Sequence, residues 1–250
     1  SLAKGIVKRD IIRVVTPGTV IDSSMLDDKK NNYLMSIFRT GPYFGVSIVD
    51  ISTGDFTSTN INLGNTISIL MDEIAKFSPS EIITNSEFFD DSTLVSNLRK
   101  RFNVYISKFE DAYFDKAYAC EKVRSYFSDC ELLKEDFNLA VNSSGALLEY
   151  LEQTQKVSLD HIQGISSYKI EEYMVLDIAT RRNLELTETM REKSRKGTLL
   201  WVLDRTMTSM GGRLMRKWIE QPLINVVDIN ERLDAVSELK DKFMVRSEIR

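Results

Sequence analysis

Residues 176–223 read LDIATRRNLELTETMREKSRKGTLLWVLDRTMTSMGGRLMRKWIEQPL, and this stretch decides how the second half of the chain folds. Its apolar residues recur every three or four positions from Leu199 to Trp218, which is the spacing of one face of a helix. The pair Gly211-Gly212 interrupts that pattern, because each glycine costs about 1 kcal/mol in a helix relative to alanine. The stretch therefore predicts two helices separated by a kink.

The residues on either side of this stretch also predict secondary structure. Residues 172–176, EYMVL, predict an extended segment that opens the second domain against its helices. Downstream, Asp228 is followed three positions later by Glu231, which is typical of the first turn of a helix. We predict a helix there with Asp228 as its N-cap.

The first half of the chain has the pattern of a sheet. Three β-rich runs, 33–38, 44–51 and 56–61, are joined by glycine-containing turns and predict three antiparallel strands. Beyond residue 62 helical and extended segments alternate, with helices predicted at 67–77 and 94–101, strands at 81–84 and 104–106, and mainly helix over 111–155, where Gly145 is a weak point. A meander followed by alternating helices and strands predicts a mixed sheet flanked by helices.

This change of pattern divides the chain into two predicted domains. Residues 1–13 form a lead-in, which ends near the turn signal Thr16-Pro17-Gly18. Residues 14–135 form the α/β domain, and residues 136–250 form a mainly helical domain. No internal repeat of solenoid length is present in the sequence.

Composition excludes several classes of protein. The 250 residues are 42% hydrophobic and 28% charged, as in an ordinary globular protein, and the net charge of −4 argues against a main DNA-gripping surface. Cys120 and Cys130 have no second cysteine pair or histidine cluster to complete a zinc site, so we expect reduced thiols. The chain starts Ser1-Leu2 instead of with Met and ends at Arg250 within a charged amphipathic pattern, so we expect a segment of a longer protein.

The cellular location follows from what the sequence lacks. No run approaches the roughly 18 apolar residues that a membrane span needs, and the first residues do not have the layout of a signal peptide. We therefore expect a cytoplasmic protein that does not bind a membrane.

Asp50 and Asp55 are the sharpest enzymatic candidates in the chain. Nucleases with a ribonuclease H-like fold place carboxylates at such strand ends to bind two magnesium ions. The next acids along the chain lie at element ends with no motif around them: Glu81, Glu87, Asp90 and Asp91. We favour turn-forming, solvent-facing aspartates beside Gly54, with a metal-dependent nuclease using Asp50 and Asp55 as the alternative.

The sequence gives little support for other kinds of catalytic or binding site. His161 is the only histidine, which removes most general-base schemes and leaves a structural role. No G-x-x-x-x-G-K-[ST] loop for a nucleotide occurs in the sequence. The basic residues between Arg181 and Lys196 are diluted by glutamates, so we predict a solvated face or interdomain ion pairs, with incidental phosphate contact as the alternative. Trp201 and Trp218 lie in the apolar helical pattern, and we predict that both pack in a core.

Four motifs, taken together, resemble the MutS family of DNA mismatch-repair proteins. They are TPGT at 16–19, DISTGD at 50–55, DIATRRNLE at 177–185 and GGRLMRKW at 211–218, and the resemblance runs from about Val14 to Arg250. Family-signature positions expected to be structural are Thr16, Pro17, Gly18, Thr19, Asp50, Gly54, Asp177, Thr180, Arg181, Asn183, Gly211, Arg213 and Trp218.

The resemblance implies a connector domain with a ribonuclease H-like fold, followed by the start of the core domain from which the lever helices extend. In this family the connector is associated with docking of MutL and with coupling between mismatch binding and the ATPase. The resemblance thus implies a non-catalytic scaffold.

The family's Phe-x-Glu mismatch wedge and its Walker motifs are not in this sequence. We therefore expect no catalytic residue, metal or cofactor in this segment, and little or no DNA binding by the segment alone. ATP with magnesium, mismatched duplex DNA and the second MutS subunit are expected partners of the longer protein.

Overall fold

The computed structural model describes residues 15–19, 31–62, 64–128, 130–133, 138–155, 159 and 161–248. Contacts divide the chain into two compact units, one ending at Tyr168 and the other beginning at Lys169. The predicted lead-in over residues 1–13 lies outside the described residues. The first described turn is a 3-10 helix at Pro17–Thr19.

The first unit is built on a six-stranded mixed sheet with the order β5-β4-β1-β2-β3-β6. Strands β1, β2 and β3 form an antiparallel meander, whereas β4 runs parallel to β1, β5 parallel to β4 and β6 parallel to β3. The strands are β1 Tyr33–Thr40, β2 Tyr43–Asp50, β3 Asp55–Ile61, β4 Glu81–Thr84, β5 Tyr105–Lys108 and β6 Ser166–Ser167. The predicted meander and the mixed sheet flanked by helices are confirmed.

Five α-helices accompany this sheet in the described part of the unit, and polar side chains begin three of them. Asn65, Asp91 and Asp115 each accept a hydrogen bond from a backbone N–H in the first turn of the helix that follows. The helices are α1 Thr66–Phe77, α2 Ser86–Phe89, α3 Ser92–Phe102, α4 Lys116–Tyr126 and α5 Asn138–Gln155. Two of them end at residues with positive φ, Ser78 and Asn103.

Both faces of the sheet are buried, as expected when helices cover both sides. In β1 and β2, consecutive residues are buried regardless of the face to which they point. One apolar cluster joins the sheet to α4 and α5 through Leu34, Val49, Phe56, Ile83, Val123, Leu147, Leu148 and Leu151.

Helix α5 approaches the sheet closely over a row of small residues. Ser36, Ser47 and Ser58 face one another in register on β1, β2 and β3. The Ser47 hydroxyl lies 2.7 Å from the Ser143 hydroxyl and 2.8 Å from that of Ser144, both on α5. The close approach needs small residues, because a larger side chain on either surface would push the helix away.

The start of α5 is fixed by strand residues far away in sequence. The Ala140 amide donates a hydrogen bond of 2.7 Å to the Asn60 side chain on β3. Gly45 on β2 lies against the Leu139 carbonyl so closely that any Cβ there would collide with the helix backbone. These contacts make α5 part of the sheet unit.

This packing changes the predicted domain division. The sequence placed the boundary after residue 135, where helical periodicity begins, whereas the division by contacts falls after Tyr168. The difference arises because α5 covers the sheet, and residues 166–167 then return to pair with β3. Periodicity identified a helix there without showing what it packs against.

The second unit is helical. Its described helices are α6 Ile178–Asn183, α7 Leu199–Leu203, α8 Ser209–Glu220, α9 Val226–Asp241 and α10 Phe243–Glu248. The extended segment predicted at 172–176 makes only one described bridge, Tyr173 to Leu223, supported by a 2.8 Å hydrogen bond from the Met174 amide to the Pro222 carbonyl. Residues 170–172 form a 3-10 turn instead of a strand.

Two details of the predicted helices are corrected. Two helices occur as predicted, but α7 ends at Leu203, and Gly211 and Gly212 lie inside α8. The Thr208 hydroxyl accepts from the Gly211 amide and begins α8 before the glycines. Likewise α9 begins earlier than predicted, because Asn225 caps it and Asp228 lies in its first turn.

No helix among the described residues is long and apolar enough to cross a membrane.

Candidate functional site

Asp50, the strongest sequence candidate for metal binding, is buried, so its predicted solvent-facing position is wrong, and both of its carboxylate oxygens accept hydrogen bonds. One carboxylate oxygen accepts from the Ser52 amide at 2.9 Å and from the Ser52 hydroxyl at 2.6 Å. The other accepts from the Asn31 side chain at 2.7 Å. Asp55 is the register partner of Asp50 across the turn, but its side chain is exposed. Within the described ranges no three His, Cys, Asp or Glu side chains are grouped to hold a metal.

The segment around His161 packs against the turn between β2 and β3. The His161 ring Nε2 lies 2.8 Å from the Ile51 carbonyl oxygen. Gly54, with φ of 77°, lies against the His161 carbonyl, and a Cβ there would collide with it. His161 therefore has the structural role that was predicted, and the DISTGD motif forms a braced turn. The nuclease alternative is not supported by this arrangement.

Buried polar groups around α1 were missed by the sequence reasoning. The Tyr168 hydroxyl donates to Glu73 at 2.5 Å, and Lys76 Nζ lies 3.3 Å from the same carboxylate. Lys76 also lies over the Tyr168 ring, 4.3 Å from its centroid. All three side chains are buried, so they tie the end of the first unit to α1. Glu73 and Lys76 are separated by only three positions, but no local signal points to Tyr168.

The surface of α4 and α5 carries a second ionic group. Lys122 lies 2.5 Å from a Glu149 oxygen and also pairs with Glu152, and the Tyr118 hydroxyl donates to Glu149 at 2.6 Å. Although burial opposes it, hydrogen bonding to Lys122 and Tyr118 lowers the pKa of Glu149. Burial and the neighbouring Glu149 carboxylate raise the pKa of Tyr118 to about 12. This network joins the two helices.

A shallow cavity of about 250 Å³ opens where β1 and β4 end. The Asp111 carboxylate in its wall accepts from the Ser86 amide at 2.7 Å and from the Ser86 hydroxyl at 2.5 Å. Asp115, also in the wall, caps α4. The carboxylates at this cavity therefore already serve the fold.

In the second unit, the DIATRRNLE motif begins with a helix cap. Asp177 accepts a 2.6 Å hydrogen bond from the Thr180 amide, and hydrogen bonds from the Thr180 side chain and backbone lower the pKa of Asp177. Arg181 donates from Nε to the Leu176 carbonyl at 2.9 Å. Asn183 is the last residue of α6. The motif therefore builds a short capped helix.

The GGRLMRKW motif forms most of α8. Gly211 fits closely beneath the cap, because a Cβ there would lie 3.1 Å from the Thr208 hydroxyl. Arg213 is half-buried, and so is Trp218, whose ring has the Arg232 guanidinium 4.6 Å from its centroid. Near the end of α8, burial raises the pKa of Glu220, although Arg216 and Arg181 oppose that shift.

The predicted core role of Trp201 is wrong for this chain, because 47% of its surface is exposed. Helical spacing identified an apolar face without showing what covers it. The exposed apolar side chains of α7, α8 and α9 include Leu199, Trp201, Val202, Leu203, Met210, Leu214, Val226, Val227, Leu233 and Val236. Within the basic cluster, Arg195 pairs with Asp204, and because both residues belong to the second unit this is not one of the predicted interdomain ion pairs.

Comparison with known proteins agrees with these motifs. Residues 32–163 match the family model of MutS domain II, and residues 179–250 match that of MutS domain III. The chain is 66% identical over 250 residues to the DNA mismatch repair protein MutS of Acetivibrio thermocellus and 61% identical over 250 residues to that of Ruminiclostridium cellulolyticum. Over 256 residues it is 48% identical to that of Alkaliphilus oremlandii.

All three matches cover 100% of this chain but only 29% of each relative, so the chain spans less than a third of their length. The domain II match lies within the first compact unit and the domain III match within the second. The chain belongs to the MutS family of DNA mismatch repair proteins and contains its connector and core domain sequences.

Proposed function

We propose that this chain is a non-catalytic scaffold within a longer MutS protein. Its first unit serves as the connector that docks MutL, and its second unit opens the core. Together they transmit the nucleotide state toward the part that binds a mismatch. The longer protein binds mismatched duplex DNA, ATP and magnesium, and a second MutS subunit.

The hydrogen bonding of both Asp50 carboxylate oxygens is the observation that carries the non-catalytic part of this proposal. A two-metal nuclease site needs carboxylates with oxygens free to bind ions. Both Asp50 oxygens instead accept hydrogen bonds, one from Ser52 in the turn and the other from Asn31, which precedes β1. A relay further needs compact bodies that move as wholes, and contacts divide this chain into two.

A competition experiment tests the docking role. Full-length MutS recruits MutL to mismatched DNA in the presence of ATP, and the purified 250-residue chain is added in excess. We expect the added chain to reduce MutL recruitment because it offers the same connector surface. A chain carrying Gly145→Val is the matched control, since the larger side chain disrupts the contact between α4 and α5 and with it the connector surface.

The same purified chain tests the absence of catalysis. We expect no ATP hydrolysis, no cleavage of DNA with magnesium or manganese, and no preference for mismatched over matched duplex. Phosphodiester cleavage that is lost in Asp50→Asn would overturn the scaffold proposal in favour of a nuclease. Undiminished MutL recruitment at every concentration of added chain would overturn the docking role.

The cytoplasmic location stays a prediction. It is supported by the names of the relatives, which are DNA mismatch repair proteins of bacteria. Fractionation of cells expressing the full-length protein would check it.

A further inference from the structure

The TPGT motif forms a compact turn at the start of the described chain. The Thr16 amide donates to the Thr19 hydroxyl at 2.9 Å, and the Thr19 amide donates to the Thr16 carbonyl at 3.0 Å. Gly18 and Thr19 are buried, although Pro17–Thr19 form a 3-10 helix and not a strand of the sheet. Something other than sheet pairing must therefore hold the turn in place.

A fully buried carboxylate supplies that contact. Glu81, the first residue of β4, has no exposed surface. One of its oxygens accepts from the Gly18 amide at 3.0 Å, and the other accepts from the Tyr150 hydroxyl on α5 at 2.8 Å. Hydrogen bonds to an ionised acceptor are about twice as strong as neutral ones. Glu81 thus joins the turn, the sheet and α5 at one point.

The glycine is required by this geometry. A Cβ atom at position 18 would lie 2.9 Å from the Glu81 Cβ and 2.9 Å from the Leu34 Cδ1, closer than real Cβ atoms come to such neighbours. Only a residue without a side chain lets the backbone amide reach the carboxylate.

Two more side chains close the arrangement. The Asn32 side chain donates to the Pro17 carbonyl at 3.1 Å and accepts a 2.5 Å hydrogen bond from the Ser80 hydroxyl. Gln155, the last residue of α5, donates to the Thr19 carbonyl at 3.4 Å. The turn is therefore bound from three sides by elements that are already fixed in the fold.

We propose that Glu81 and Tyr150 latch the Thr16–Thr19 turn to the sheet and so set the direction in which Val15 and Thr16 approach the sheet. Release of the turn would leave a buried carboxylate with one donor removed, which opposes partial opening. The latch is expected to be closed or fully released. This inference does not depend on MutL docking or on ATP coupling.

Amide hydrogen exchange, measured by NMR on the whole 250-residue chain, tests the latch. In Glu81→Gln and Tyr150→Phe, we expect the Gly18 and Thr19 amides to exchange at least about tenfold faster, because one charge-assisted hydrogen bond is lost. Tyr168→Phe is the matched control: it removes the same kind of buried tyrosine-to-glutamate bond, at Glu73, without touching the turn.

The control separates a local latch from a general loss of stability. Tyr168→Phe should leave the exchange of Gly18 and Thr19 unchanged relative to the slowest amides of the sheet. Equal acceleration in Tyr168→Phe, or unchanged exchange in both latch variants, would overturn the proposal. Gly18→Ala provides a second route, since it displaces the turn while keeping Glu81 and its bond to Tyr150. Unchanged Thr19 exchange in that variant would also overturn it.

Discussion

Gly145 on α5 lies directly against Ala119 on α4, so that a Cβ at position 145 would be 2.5 Å from the Ala119 Cβ. Nonbonded carbon atoms do not approach so closely, and the two helices could not cross at this distance with any other residue at 145. A glycine that looks like a weak point in the helix is what allows the helix to pack.

Gly145→Ala tests this relationship. In an open helix the change would stabilise the protein by about 1 kcal/mol. Here the clash involves backbone and Cβ atoms that cannot rotate away, so we expect a net loss of about 1–3 kcal/mol. Urea denaturation followed by circular dichroism measures it. Gly164→Ala is the control, because nothing lies within 4 Å of a Cβ at 164 and φ is not positive there, and a gain in stability for Gly145→Ala would contradict the packing described.

The substitution Asp50→Asn tests whether Asp50 stabilises the fold or serves as a metal ligand. The new amide would face the Asn31 side-chain nitrogen, which now donates to Asp50. We expect a loss of about 1–3 kcal/mol in the free energy of unfolding, as for a buried group left without its partner. The exposed Asp55→Asn should change it by less than about 0.5 kcal/mol. A more stable Asp50→Asn protein would point instead to a strained ion site.

Tyr118 should make the protein sensitive to alkaline pH. Its pKa is raised from 10.0 to about 12, first by burial and then by Glu149. Because the folded-state pKa is the higher one, this contribution to stability is complete below pH 10 and is lost as the pH rises toward 12. Tyr118→Phe should therefore reduce the slope of unfolding free energy against pH in that range. Part of the slope remains, because the pKa of Tyr126 is also raised, chiefly by burial.

Glu149→Gln provides the partner test for that pH dependence. Removing the carboxylate withdraws one cause of the raised Tyr118 pKa, so the alkaline loss of stability should end at a lower pH and be smaller in total. The lowered pKa of Glu149 itself gives stability that is lost as the pH falls below 4.5. In the variant, the fall in unfolding free energy over this acid range should therefore be smaller. Unfolding curves between pH 3 and 12 would contradict the network if neither limb moved.

Trp218 and Arg232 should be energetically coupled across α8 and α9. The guanidinium lies 4.6 Å from the ring centroid, within the range of a cation–π interaction. A double-mutant cycle with Trp218→Leu and Arg232→Met should give a coupling of about 0.5–2 kcal/mol. Arg232→Lys should retain part of it. A coupling indistinguishable from zero would show that the contact does not contribute to stability.

The strands of the meander were predictable because their signals are local. Alternating β-rich runs and the turns at Gly41 and Gly54 lie within a few residues of one another, and both glycines have positive φ. The position of α5 was not predictable in this way. Its contacts with Ser47 join residues more than 90 positions apart, and nothing in helical spacing indicates such a partner.

The same limit applies to the functional residues. The TPGT motif was recognised, but its partner Glu81 is 63 positions away and looks like an ordinary acid at the end of a strand. Trp201 shows the opposite error, because apolar spacing correctly placed it in a helix and wrongly implied a core. Sequence patterns determine the local conformation of these segments. Which residues cover a helix face, and which side chains form hydrogen bonds with each other, depends on parts of the chain that are far away in sequence.

The way the sheet unit ends has a mechanical consequence. Tyr168 donates from its amide to the Ser58 carbonyl at 3.1 Å, and its own carbonyl accepts from the Thr59 hydroxyl at 2.8 Å. A pulling force on the chain after Tyr168 would act directly on β3, because Tyr168 is itself hydrogen-bonded to that strand. The connector is thus built so that pulling on its C-terminal end strains the sheet itself.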